Sequence, residues 1–196
     1  MKPINNKLLI NKFILKDENQ LKRKESCQYI DEYPFSIPVI RNFKKLVFKK
    51  QVTFIIGENG SGKSTLIEAF TRCCGFNTEG GSRNFRFSTH DPDKYQTDSS
   101  FYEYLNIDKS WELPIFDGYF LRSKALYNLA AKIYDDEKLG KSCEIESDYG
   151  KIPLFEQSHG KSVLSLLTNR ISKRGLYIFD EPETGLSPKT LSTINR

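Results

Sequence analysis

Residues 57–65 read Gly57-Glu58-Asn59-Gly60-Ser61-Gly62-Lys63-Ser64-Thr65. The stretch fits the spacing G-x-x-x-x-G-K-[ST], and each part of that spacing has a chemical use. Glycines let the backbone curl until successive N–H groups face one anion. A helix that starts at Lys63 adds its dipole and its unpaired first amides. Lys63 brings a point charge to the β- and γ-phosphates of a nucleotide. Ser64 offers a hydroxyl to Mg2+. A chance match is expected in on the order of one in 150 chains of this length. A turn of purely structural origin has no need of Lys-Ser at its end.

A second constellation is Leu176-Tyr177-Ile178-Phe179-Asp180-Glu181, an apolar run closed by two acids. A strand ending this way sets its carboxylates at the C-terminal edge of a sheet, where open α/β sheets bind ligands. Asp180 can hold Mg2+ directly or through water. Glu181 is then available to polarise the water that attacks a γ-phosphate. A third stretch, Ser158-His159-Gly160, precedes an apolar helical pattern. Taken alone it reads as an ordinary N-cap.

The elements that must position these groups alternate between the two periods. Val52-Thr53-Phe54-Ile55-Ile56 is short, continuous and partly β-branched, as expected of a strand buried on both faces. From Lys63 to about Cys74 the residues Leu66, Ala69, Phe70 and Cys73 form one helical stripe, stopped by Gly75. Upstream, Leu8–Leu15 suits a strand and Leu46-Val47-Phe48 leads through two lysines into Val52. Pro38 demotes Ile37–Ile40 to an edge strand or to none. Residues 75–118 read as loops and short strands. A helix is expected over Leu121–Leu139, with Ala125, Leu129, Ala130 and Ile133 on one side. Residues 140–157 look irregular. A further helix runs from Gly160, with Val163, Leu166, Leu167 and Ile171 on one face, and ends at Lys173-Arg174-Gly175. The expectation is one α/β domain over 1–196: a mostly parallel sheet with helices on both faces and a small N-terminal β subdomain.

Composition narrows the function classes. The 196 residues carry a net charge of +5, too little to argue for nucleic acid by itself. The first 50 residues hold 12 Lys/Arg against 5 Asp/Glu, the one feature that would suit a nucleic-acid partner, though such runs are usually solvated faces. No apolar stretch approaches the ~18 residues of a membrane helix. Leu8-Leu9-Ile10 is cut off from Phe13-Ile14-Leu15 by Asn11-Lys12, so no signal peptide is read. Cys27, Cys73, Cys74 and Cys143 form no C-x-x-C pair. Reduced thiols in a cytoplasmic protein are the expectation.

Together these motifs resemble the ABC-type ATPases, and within them a group of small AAA-labelled ATPases with an ABC-like P-loop NTPase head. The resemblance runs from about Tyr33 to Asn195. Asp180-Glu181-Pro182-Glu183-Thr184-Gly185-Leu186-Ser187-Pro188 is similar to that group's Walker B and D-loop, and Gln157-Ser158-His159-Gly160-Lys161-Ser162 to its ABC signature. Cys74–Asn77, Gly80-Gly81-Ser82 and Phe87-Ser88-Thr89 also fit. The resemblance implies a head-to-tail homodimer with two ATP molecules at its interface. In it, Ser158 and the Gly160 amide, on either side of His159, would contact the γ-phosphate held by the other subunit. It also implies an aromatic that stacks on adenine, for which Tyr33 and Phe35 both qualify. Lys161 departs from the acid or Gln more usual there. ABC-type heads continue past the D-loop to another strand, placed between the two Walker strands, and a switch histidine. Only eight residues follow Pro188, and neither His90 nor His159 is suitably placed. The expectation is therefore a chain short of that region. The expected function is Mg-dependent ATP binding and hydrolysis, with Lys63 and Glu181 catalytic, coupled to an unidentified partner protein. The alternative is an ATP-binding module or remnant without efficient hydrolysis.

Overall fold

A computed structural model describes residues 7–17, 32–83, 99–110, 117–139, 152–171 and 175–187. In chain order its elements are β1 (Ile10–Leu15), α1 (Pro38–Arg41), β2 (Lys45–Val47), α2 (Lys63–Cys73), β3 (Gly81–Ser82), β4 (Leu105–Lys109), β5 (Gly118–Arg122), α3 (Leu126–Lys138), α4 (His159–Asn169) and β6 (Leu176–Asp180). Short 3-10 turns cover Ser100–Tyr104, Ser123–Ala125 and Leu154–Glu156. The described residues fall into two compact units, one within 1–75 and 95–115, the other within 76–94 and 116–196. None of the described helices is long and apolar enough to cross a membrane.

The first unit is a three-stranded antiparallel sheet, β2-β1-β4, carrying α2. Alternation along β1 turns Phe13 inward, where its ring stacks on Phe70 of α2 at 4.1 Å and 8°. Phe48 meets the edge of Phe13, and Phe43 lies against both Phe70 and Phe101. Such pairs add about 0.5–1.5 kcal/mol each to the burial of the rings themselves. Of the stripe expected on α2, Leu66, Ala69 and Phe70 are buried and Cys73 is half-buried, while Ile67, Glu68 and Thr71 are buried beside them. Gly75, at φ +84°, follows the helix end as a glycine can. Pro38 makes α1 a single turn, sitting at the first helical position.

The second unit has the order β3-β5-β6. Here β5 pairs antiparallel with β3 and parallel with β6, in the register Gly118↔Leu176 through Arg122↔Asp180. Leu126, Leu129, Ala130 and Ile133 of α3 pack with Tyr119, Leu121, Leu154, Val163 and Leu166. Asp117 ties the unit's elements at one end. Its carboxylate accepts two hydrogen bonds from Arg170 at 2.7 and 3.0 Å, one from the Tyr177 hydroxyl at 3.3 Å and one from the Gly118 amide at 2.8 Å.

Three readings of the sequence need correction. Val52–Ile56 is not a buried strand: it lies in no ladder, and Val52, Phe54 and Ile56 are 68, 84 and 89% exposed. An apolar run becomes a strand only where a neighbour supplies amides and carbonyls, and none of the described residues pairs with it. Leu121 belongs to β5 and not to a helix. The helix begins at Leu126, because the apolar run Tyr119–Leu121 is drawn into the sheet while the 3.6 period starts only at Ala125. The helix of Val163 and Leu166 ends at Asn169, so Ile171 lies beyond it and is 43% exposed. Among the described residues β5–β6 is the one parallel ladder. Phe87–Thr89, His90, Cys27, Cys143, Lys173, Arg174 and everything from Pro188 onward lie outside the described residues.

Two measurements check this packing. Phe70→Ala removes a stacked, buried ring and is expected to cost about 3–5 kcal/mol in denaturant unfolding; a loss under 1 kcal/mol would contradict the stack. Burial pushes the Cys73 thiol up to about 11, partly offset by Lys16 and Lys109, and its Sγ donates to the Tyr102 carbonyl at 3.5 Å. At neutral pH its alkylation, followed by peptide mass mapping, is expected to be about 100-fold slower in the folded chain than in denaturant. Equal rates would contradict the burial.

Candidate functional site

The loop of residues 57–63 is curled, with Lys63 folded back over it. Gly60 (φ +79°) and Gly62 (φ +91°) occupy the left-handed region, which an L side chain enters only with strain. At Gly62 there is also no space: a Cβ would come within 2.6 Å of Ile37 Cγ2 and 2.8 Å of Val39 Cγ1. The Ser61 amide donates to Glu58 O at 3.2 Å and closes the turn. The Lys63 ammonium folds back over it, donating to the carbonyls of Gly57 at 2.8 Å and Glu58 at 2.7 Å. Helix α2 begins at Lys63, with Leu66 N to Gly62 O as its first bond at 3.0 Å. Ser64 and Thr65 thus occupy its first turn, where N–H groups have no intrahelical acceptor. Glu58, Asn59, Gly60 and Ser61 are exposed and the space around Gly60 is open.

Of the two aromatics considered for adenine, Phe35 is committed to packing, edge-on to Tyr104 at 4.8 Å and to Phe101 at 6.1 Å. Tyr33 is 61% exposed.

In the second unit Asp180 closes β6 and is buried, with Arg122 Nε 4.0 Å from its Oδ2. A buried carboxylate at a strand's C-terminal end is a chemically suitable Mg2+ ligand. Glu181 follows with φ +52°, the one non-glycine positive φ among the described residues. Its carboxylate lies 3.6 Å from Lys124 Nζ. Its carbonyl accepts from Ser123 Oγ at 2.6 Å and from Thr184 N at 3.0 Å.

Ser158 stands at the N-cap of α4 in extended backbone, yet its side chain makes no capping hydrogen bond. Both Ser158 and His159 are exposed. The structure brings this stretch against the turn after Glu181. A Cβ on Gly160 would meet Gly185 O at 2.6 Å, and one on Gly185 would collide with the His159 ring. Two motifs about 25 residues apart in sequence thus abut through two glycines.

Arg122, Ser123 and Lys124, which touch both acids, were missed by the sequence reading. The signal was present, since Gly118-Tyr119-Phe120-Leu121 closed by Arg122 mirrors the run that ends in Asp180. It was hidden because the adjoining helical stripe could be extended back to Leu121.

The family model described as an AAA domain matches residues 34–178. That span holds the whole phosphate loop and Ser158–Gly160 and stops two residues before Asp180. No curated protein and no solved structure matches the chain. With most of its length matched, the chain belongs to the AAA domain family.

Proposed function

We propose that the chain binds Mg-ATP and hydrolyses its γ-phosphate, as an ABC-type head working in a nucleotide-sandwich homodimer. Nucleotide binding and ATPase activity agree with the AAA family. The observation that carries the reading is the loop of residues 57–63 curled onto the Lys63 ammonium at the start of a helix. In this reading Lys63 exchanges its two carbonyl partners for β- and γ-phosphate oxygens, which as anions bind the ammonium more strongly. The amides of Gly60 through Thr65 line the phosphates, and Tyr33 is the aromatic left for adenine. Ser64 and Asp180 would be the groups to hold Mg2+, which would supply neutralising charge for the phosphates. Glu181 accepts a proton from the attacking water. Ser158 and the Gly160 amide serve the nucleotide of the partner subunit. An unidentified partner protein would receive the motion; a nucleic-acid role rests only on the basic first 50 residues.

One observation favours the alternative of binding without efficient turnover. Val52–Ile56, the segment that leads into the loop, pairs with no described strand, so less holds the loop in place during the chemical step.

Phosphate release separates the readings. Glu181→Gln is expected to slow release by about 100-fold or more while ATP is still bound; equal rates would remove Glu181 from the mechanism. Binding with no release by the parent chain would establish the alternative. For the dimer, light scattering should show mass doubling on addition of Mg-ATP to Glu181→Gln. The further change Ser158→Glu, which sets a carboxylate against phosphate, should abolish the doubling and leave nucleotide binding intact. Doubling that survives Ser158→Glu would contradict a role for this residue in trans.

A further inference from the structure

We propose that Ser123 is the positioning residue for Glu181, with Lys124 biasing the direction of its carboxylate; the inference rests on the hydrolytic reading of Glu181. Residue 181 stands in a conformation that a non-glycine residue rarely adopts, so something must hold it there. The nearest restraint is a buried hydroxyl. Ser123 is 3% exposed and donates to the Glu181 carbonyl at 2.6 Å. The same carbonyl takes the Thr184 amide at 3.0 Å, and the Leu186 amide donates to Glu183 O at 3.0 Å. The hydroxyl thus pins the first residue of a turn whose fourth and sixth residues are tied back to the turn itself.

The parallel register explains why these residues meet. Arg122 lies opposite Asp180, so the residues that follow on both strands leave the sheet side by side. Arg122 is itself steadied by its Nη1 bond to Thr78 O at 3.2 Å. Lys124 comes next and reaches the Glu181 carboxylate at 3.6 Å, in a pair whose side chains are 71 and 35% exposed. Exposed pairs of this kind are weak. The hydroxyl therefore fixes the main chain, and the ammonium only biases where the carboxylate points. Because Gly185 of the same turn is pressed against His159 and Gly160, a shift at Ser123 would reach the N-terminus of α4 as well.

The test pairs Ser123→Ala with Ser123→Thr. Hydrogen exchange at the Thr184 and Leu186 amides, read in the nucleotide-free chain, should quicken in the alanine variant and return to the parent rate in the threonine variant. In turnover, Ser123→Ala should lower kcat on the order of tenfold with KM for ATP within about twofold, and threonine should restore it. Unchanged exchange in the alanine variant, failure of threonine to restore, or a loss confined to KM would overturn the proposal. Should Ser123→Ala not fold, Ser123→Cys, which keeps the volume and weakens the donor, takes its place in the same measurements; Lys124→Ala, at an exposed site, tests the part assigned to Lys124. The parent's kcat should fall with added salt; Lys124→Ala should lower kcat and remove that fall, and Lys124→Arg should restore both; an unaltered kcat overturns the part assigned to Lys124. A parent chain that binds ATP but releases no phosphate removes the hydrolytic reading, and the Ser123 restraint then stands or falls on exchange alone.

Discussion

The curl of residues 57–63 about the Lys63 ammonium is the constraint on which the functional reading depends. Two features keep the loop compact: a cation on which its carbonyls converge, and glycines that can take positive φ. Both are present: two carbonyls meet Nζ at 2.7 and 2.8 Å, and Gly60 and Gly62 are left-handed. The carbonyls of Gly57 and Glu58 are the weaker partners. A phosphate brings full negative charge and competes for the same ammonium. In the proposed reading the loop is organised before an anion arrives, and preorganisation of this kind reduces what binding must spend on ordering.

Apolar packing anchors that loop on its sheet, while its own hydrogen bonds hold the curl. The Phe13–Phe70 stack fixes α2 on the antiparallel sheet, and α2 fixes Lys63, Ser64 and Thr65 at its first turn. Close approach of Ile37 and Val39 to Gly62 leaves room for no other residue there. In the second unit the equivalent anchoring is polar at one end of the sheet and polar again at the other. Asp117 and Arg170 tie the start of β5 to the end of α4, while Ser123 and Arg122 meet the acids that close β6.

Much of this was legible in the sequence, and for identifiable reasons. The loop was readable because its spacing is chemically specific. Helix α2 was readable because Leu66, Ala69 and Phe70 repeat at 3.6 residues and do face the core. Strand β6 was readable from an apolar run ended by Asp180-Glu181. What escaped was set by partners distant in sequence. Val52–Ile56 has the composition of a buried strand, but composition does not supply a ladder. Strand β5 was concealed because Leu121 fits both the sheet and the following helix. The meeting of Ser123 with Glu181 depends on strand register, which no local pattern records. The abutment of Gly160 and Gly185 is likewise a matter of packing.

Titration calorimetry of the folded chain with ATP in the presence of Mg2+, set beside Lys63→Ala, tests the central claim most directly. Saturable uptake of one nucleotide per chain by the parent, reduced at least tenfold in affinity on the order expected for a lost charged hydrogen bond, is the result predicted. Absence of uptake by a folded parent, or equal affinity in the two proteins, would contradict it.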